Sequence, residues 1–443
     1  MRHACWLAGL LATVASGAAC GRDALDREAL LDPTTCASCH PDQYAEWSRS
    51  MHAYASDDPV FLALDALGQE ATGGALRTLC VGCHAPTAVA EGVATTGAEV
   101  AAAPRALRGV GCWACHAIDG VTALHNGGLR WADDRVMRGG IAAPVDTPAH
   151  GSRRDHLLAG DRIESSDPCG ACHDVRVGDA AVEATYAEWA GSLFGPGGVS
   201  PVSCAGCHMF GRDAPAAALP GMPTRRVHDH AFPAIDRPLT SWPGQAELTA
   251  GIARDLAPAV SLRLCVLPAA GGVDVEVTLD NLQVGHAFPS GVTHSRRVWV
   301  EAVATAGDRE LFATGRFAPD QAPTADADPA LWRLGTHFFD AGGREVDFAW
   351  EVASVTSELL TPSVTNDPND PNFYHARSHH YPVLGAPDRV DAVVHVEPIG
   401  LELLDKLIAA GALAPEVRAR MPRWTISSTA RTWRRADGFG CAP

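Results

Sequence analysis

Ten of the fourteen cysteines stand in five copies of one pattern, and that pattern limits the chain more than any other feature. The copies are Cys36-Ala-Ser-Cys39-His40, Cys80-Val-Gly-Cys83-His84, Cys112-Trp-Ala-Cys115-His116, Cys169-Gly-Ala-Cys172-His173 and Cys204-Ala-Gly-Cys207-His208. A bare CxxC could be a redox disulfide or half of a zinc site. Neither needs a histidine directly after the second cysteine. With 19 histidines in 443 residues, five out of five by chance has odds of roughly one in ten million. The spacing is that of covalent c-type haem attachment: two thiols on one helical turn bond both vinyl groups, and the next residue projects under the porphyrin as proximal iron ligand. Five c-type haems are expected, with His40, His84, His116, His173 and His208 on the proximal side.

A sixth ligand would complete each iron. Methionine would raise the potential and a second histidine would lower it. The chain has only six methionines, the initiator included. Between Cys36 and Phe232, His52, His125, His150, His156, His228 and His230 are free of the motifs. Each has a bland alternative as a solvent-facing or hydrogen-bonded side chain. Taken together, with His286 in reserve, they point to mostly bis-histidine irons, the candidate distal set being His52, His125, His150, His156, His230 and His286. The spacing from Tyr44 to Tyr54 predicts a helix. A straight one would carry His52 about 18 Å beyond His40, whereas two histidines on one iron hold their Cα atoms roughly 13 Å apart. His52 is therefore expected on a neighbouring haem.

At 443 residues the chain exceeds the usual single domain, and two folded units are the default. The formal charge of -17 argues against nucleic acid, which would need a basic face. Arg2 followed by the uncharged run Trp6 to Ala19 reads as an export signal over 1–20, too short to span a bilayer. It closes Gly17-Ala18-Ala19-Cys20, which resembles a bacterial lipoprotein signal with lipid on Cys20. Gly17 departs from the usual Leu or Val, so ordinary cleavage after Ala19 stays open. The expected location is the periplasm or the outer membrane and cell surface.

The first motif continues Pro-Asp-Gln-Tyr44-Ala-Glu-Trp47-Ser-Arg-Ser50-Met-His52-Ala53, and a partial echo follows the fourth as Tyr186-Ala-Glu-Trp189-Ala-Gly-Ser192-Leu-Phe194. The first pattern resembles the multihaem cytochromes related to the tetrahaem cytochrome c that accepts electrons from hydroxylamine oxidoreductase. Gly198 to Met209 and His228-Asp-His230-Ala-Phe-Pro are similar to the same group, so the resemblance covers about 34 to 235. It implies a largely helical, loop-rich fold packed around stacked haems, mostly in electron carriers with some enzymatic relatives. In the echo Phe194 replaces His52 and cannot be that ligand. No CxxCK, the lysine motif of the family's nitrite reductases, occurs, and a fifth haem implies a different layout from the four-haem relatives.

The fold class expected is α + β with two domains. A mainly helical, loop-rich pentahaem domain over 21–240 precedes a C-terminal β-sandwich-like domain over 241–443. Ala214 to Pro223 reads as a linker. Beyond Pro243, Gly272–Asp280 alternates apolar and polar strictly, and 297–303 and 389–396 read as further strands. Residues 401–413 read as a helix ending near Gly411, and His379-His380 as part of a polar loop. Gly285-His286-Ala-Phe288-Pro289-Ser-Gly291 resembles a GHxFPTG-type segment of β-domains that follow haem regions. Its histidine either ligates a haem or is a hydrogen-bonded turn residue. Cys265 and Cys441 could pair in an oxidising compartment.

Two functions compete. An electron-transfer protein needs closely spaced, six-coordinate haems, with redox proteins (other cytochromes or a quinol-linked donor) as partners. A haem oxidoreductase acting on a small nitrogen compound needs one five-coordinate iron beside acid or base residues. The histidine count favours the carrier, with no catalytic residue assigned.

Overall fold

The computed structural model describes residues 24–442, so the expected export segment 1–20 and Cys20 lie outside the described residues. The chain is an α+β protein with short helices in its first half and several sheets.

Local chemistry keeps the early helices short. Helix α1 (Pro41–Ser48) has proline at its first turn, where the missing N–H costs nothing. It does not run on to Tyr54 as predicted. Ser50 turns extended and its hydroxyl accepts Ala53 N at 3.2 Å, starting a separate helix α2 (Met51–Tyr54). Asp58 caps α3 (Pro59–Ala71) in the same manner, accepting Val60 N at 2.9 Å. The hairpin β1 (Val175–Val177) and β2 (Ala180–Glu183) follows the fourth motif at once. The expected linker 214–223 is instead the tip of a hairpin pairing Gly211–Pro215 with Thr224–His228. Its prolines and glycines are used in a turn that folds back on the first motif, with Ala218 N donating to Cys39 O at 2.7 Å.

The second half carries the large sheets. Strands β3 (Ser261–Ala269), β4 (Gly272–Asp280), β5 (Arg297–Ala306), β6 (Arg309–Thr314), β7 (Arg377–Leu384), β8 (Arg389–Glu397), β9 (Trp424–Arg434) and β10 (Gly440–Cys441) form two antiparallel sheets. One is ordered β7-β4-β3-β10 and the other β6-β5-β8-β9, with Arg333–Leu334 added on β5. Alternation puts Val273, Val275 and Val277 of β4 and Val390, Ala392, Val394 and Val396 of β8 into one shared core. Each large apolar side chain so buried stabilises by about 1.5–3 kcal/mol. Helix α4 (Gln245–Leu256) adds Leu248, Ile252 and Leu256, one face at four-residue spacing, to the same core. His379 and His380 lie on β7 rather than in a loop: His379 stacks on Trp332 at 5.4 Å, and His380 reaches Asp274 at 2.8 Å. Cys265 and Cys441 are disulfide-bonded, joining β3 to β10 at a sequence separation of 176.

The halves pack together across 233–245. Leu401, Leu404 and Leu407 of helix α5 (Leu401–Ala409) share a core with Leu239 and with Val60 and Ala63 of α3. Gly411, at φ +73°, ends that chain segment in the left-handed turn a side chain would resist. Trp242 Nε1 donates to Ser48 O and Trp424 Nε1 to Ile235 O, both at 2.9 Å.

Candidate functional site

Each motif closes one helical turn. His40 N donates to Cys36 O at 2.8 Å, His84 N to Cys80 O at 3.2 Å and His173 N to Cys169 O at 2.8 Å, while Cys112–His116 and Cys204–His208 are helical outright. Both cysteines and the histidine of a copy therefore project from one short surface.

Four of the five proximal rings face a second histidine from far along the chain. Ring centroids are 6.4 Å apart for His40 and His150, 6.2 Å for His116 and His230, 6.3 Å for His208 and His286, and 6.2 Å for His52 and His173. Two imidazoles on one metal, at about 2 Å per metal–nitrogen bond, hold their centroids about 6 Å apart, so the residues present fit a haem iron in four places. Contact stacking would bring the rings much closer. Desolvation, and then the neighbouring histidines, push His52 down to about 3 and His230 down to about 4, and His286 is likewise pushed down to about 4. Their nitrogens thus keep free lone pairs at neutral pH, as ligation requires.

His84 is different. Phe61 of α3 lies flat on its ring, centroids 4.1 Å apart and planes 5° apart, and no second histidine ring faces it among the described residues. The remaining candidates are not brought opposite any proximal ring. His156 is exposed and turned to Asp155 at 3.4 Å. His125 sits on the loop wedged between the second and fourth motifs, where Gly127 N donates to Ala171 O at 2.6 Å, and its Nδ1 is buried without a hydrogen-bond partner. His228 gives its Nδ1 to Met209 O at 2.6 Å.

The motifs do not sit in chain order. The thiol of Cys36 lies against Cys112, Cys83 against Cys172, and Cys169 against Cys204. Cys169 is pushed up first by Cys204 and burial, and Cys172 by Cys83 and burial, with Cys115 adding to both. Ser166 Oγ also accepts Cys204 N at 3.0 Å, tying the fourth motif to the fifth. The neighbour order is first, third, fourth, with second and fifth both against the fourth.

The Tyr-Ala-Glu-Trp repeat holds functional residues that are not ligands themselves. Trp47 Nε1 donates to Val110 O at 2.8 Å and Trp189 Nε1 to Val202 O at 2.9 Å, in each case the carbonyl two residues before the next motif clamped. Glu46 accepts His230 N at 3.1 Å, and Glu188 accepts Ala287 N at 3.1 Å and Ser290 Oγ at 2.9 Å. Each glutamate therefore anchors the loop that carries a facing histidine, His230 or His286. Burial pushes both carboxyls above the usual range. Phe194, in place of His52, packs where a Cβ on Gly285 would come within 3.3 Å, walling the loop beside His286. The repeat itself was the signal: ligand identity is lost between its copies while Glu and Trp persist. Glu188→Ala removes a charged acceptor from two donors, a cost of about 1.5–3 kcal/mol per bond. Electron paramagnetic resonance of the haem-loaded variant is expected to show a new high-spin fraction from the His208 centre, with Glu188→Gln milder. An unchanged spectrum would remove the anchoring role.

The family described as cytochrome c554 and c-prime matches residues 35–117, the stretch that holds the first three motifs. The fold is similar to that of a penta-heme cytochrome c552 from Thermochromatium tepidum, with a TM-score of 0.64 and 19% identity over 92% of this chain and 100% of that chain. No protein of curated function matches. These likenesses support a multihaem c-type cytochrome. They support c-type haem binding and electron transfer by those haems.

Proposed function

We propose that the chain carries five c-type haems, four of them bis-histidine, and serves as an electron carrier in a respiratory or extracellular electron-transfer chain. The observation that carries this is the four facing histidine pairs at 6.2–6.4 Å. The haem pairs would be His40 with His150, His116 with His230, His173 with His52, and His208 with His286. Cys36/Cys39, Cys80/Cys83, Cys112/Cys115, Cys169/Cys172 and Cys204/Cys207 would supply the thioether links. Bound haem supplies an iron that changes oxidation state with little rearrangement when both axial positions are filled. The chain's part is to hold each imidazole neutral and oriented, and to set the motifs side by side with the fourth as junction. The five haems also agree with the name of the Thermochromatium tepidum neighbour. We read 21–240 as the haem domain and 241–443 as a β-sandwich-like domain, which lends His286 to the fifth site.

Export to the periplasm or cell surface, with lipid on Cys20, rests on Gly17-Ala-Ala-Cys20 and is supported by the Cys265–Cys441 disulfide, a bond that persists in oxidising compartments. Partners would be other cytochromes or a quinol-linked donor. Cys20→Ser is expected to move the protein from the membrane fraction to the soluble one; a wild-type protein that is already soluble, with unmodified Cys20, removes the anchor.

The lone ring of His84 favours a second reading, a haem oxidoreductase acting on a small nitrogen compound at that position. One experiment weighs both. In the fully loaded protein, mass should show five haems, resonance spectra four low-spin centres, and reduction should allow one carbon monoxide per chain. No carbon monoxide would mean five filled irons and a pure carrier. Two or more would mean that a facing pair does not ligate, and turnover of nitrite or hydroxylamine would put the enzyme first.

A further inference from the structure

The second ring nitrogen of a metal-bound histidine tunes the metal, because a stronger acceptor on Nδ1–H makes the imidazole a stronger donor. Four proximal histidines give Nδ1 to a backbone carbonyl: His40 to Ala216 at 2.7 Å, His84 to Ala55 at 2.9 Å, His116 to Arg138 at 2.6 Å and His208 to Pro233 at 3.2 Å. His173 alone meets a side-chain carboxylate, with Glu183 Oε1 3.4 Å from its Nδ1.

The chain builds this contact deliberately in the geometric sense. The hairpin β1–β2 leaves the fourth motif and returns at once, pairing Val175 with Glu183, so Glu183 comes back beside His173. Ala180 and Val182 are buried against Phe338 and Val352 and fix the returning strand, while alternation turns Glu183 the other way. The Glu183 side chain is 10% exposed; its Oε1 also accepts Thr185 Oγ1 at 3.4 Å, and no arginine or lysine forms an ion pair with it among the described residues, Arg296 acting on it only from beyond that distance. Neighbouring carboxylates are compensated differently. Asp174 accepts Ala187 N at 3.1 Å and stands 3.8 Å from Arg176; Glu46, 3.9 Å from His230 Nδ1, is held by Arg212 at 2.8 Å.

Resting on the five-haem reading above, we propose that Glu183 is a positioning residue that makes the His173 haem the most electron-rich and lowest in potential of the four bis-histidine centres. A carboxylate beside the proximal nitrogen, in no ion pair with an arginine or lysine, favours the oxidised, more positive iron. Because the fourth motif is the junction, the low centre stands between the pair formed by the first and third motifs and the two outer sites.

The test is a spectroscopically monitored potentiometric titration of the haem-loaded Glu183→Gln and Glu183→Asp proteins. His52→Ala marks which wave belongs to His173, since that variant changes its spin state. Glu183→Gln is expected to ease reduction of that one haem by about tenfold, some 59 mV for one electron, with smaller shifts at the His84 and His208 centres, because His84 and His286 also feel the Glu183 charge. Glu183→Asp, which keeps the charge, should move it less. Waves unmoved by Gln, or moved as far by Asp as by Gln, would overturn the proposal and leave only packing. Should the Gln protein lose haem, Asp still decides: a small upward shift of the marked wave supports the role and no shift overturns it. A wild-type protein with no haem on Cys169 and Cys172 would instead sink the haem reading at this motif, a result that mass distinguishes from an unmoved potential.

Discussion

His52→Ala should convert the centre held by His173 from low-spin to high-spin and double the carbon monoxide bound by the reduced protein, from one to two per chain. His52 lies 6.2 Å from His173 between ring centroids and is packed edge-on against Phe232 at 4.4 Å. Removing the imidazole leaves that neighbour in place, so the fold should survive while the sixth position opens. Imidazole added in solution should restore the low-spin spectrum, since it replaces the deleted group. His150→Ala is the comparison. It should open the His40 centre instead, and the double variant should bind three carbon monoxides. If both single variants abolish the same low-spin species, the pairing of His52 with His173 is wrong.

Removing the disulfide with Cys265→Ser and Cys441→Ser should cost about 5 kcal/mol in unfolding free energy, because a closed loop of this length strongly restricts the unfolded chain. The bond pairs β10 with β3, which is otherwise the edge of its sheet, and Cys265 is buried there. Denaturant midpoints followed by tryptophan fluorescence would report the change. Haem count and spin state should be unaffected, since all five motifs and the four facing pairs lie elsewhere. A loss under about 1 kcal/mol would mean that strand pairing already closes the loop in the denatured ensemble, a known way for the entropic argument to fail.

Local patterns were legible where they are governed by neighbours in the chain. The five cysteine–histidine copies, the strand over Gly272–Asp280 and the helix ending at Gly411 each follow from periodicity or from a single turn. The break between α1 and α2 was also written locally, in the Ser50 cap, but helical spacing across 44–54 masked it. His52 avoids His40 all the same, for a different reason from the straight-helix argument: a facing ring, His150, already stands opposite His40. His379 and His380 misled because two polar residues in a row look like a loop, whereas on β7 they are simply the two faces of a strand.

What the sequence determined by itself is the chemistry available: five CxxCH motifs, each with its own histidine, and more histidines outside the motifs than motifs. Which histidine faces which was decided only by the tertiary structure. His150, His230 and His286 come to their partners from 110, 114 and 78 residues away in sequence. At such separations loop length changes the closing cost only slowly, so spacing carries almost no information about pairing. The choice is made by anchors such as Glu46 and Glu188, by the clamps of Trp47 and Trp189, and by Phe61 against His84. Glu183 is the extreme case, a glutamate in a short hairpin whose meaning appears only when Val175 pairs with it and brings it back to His173.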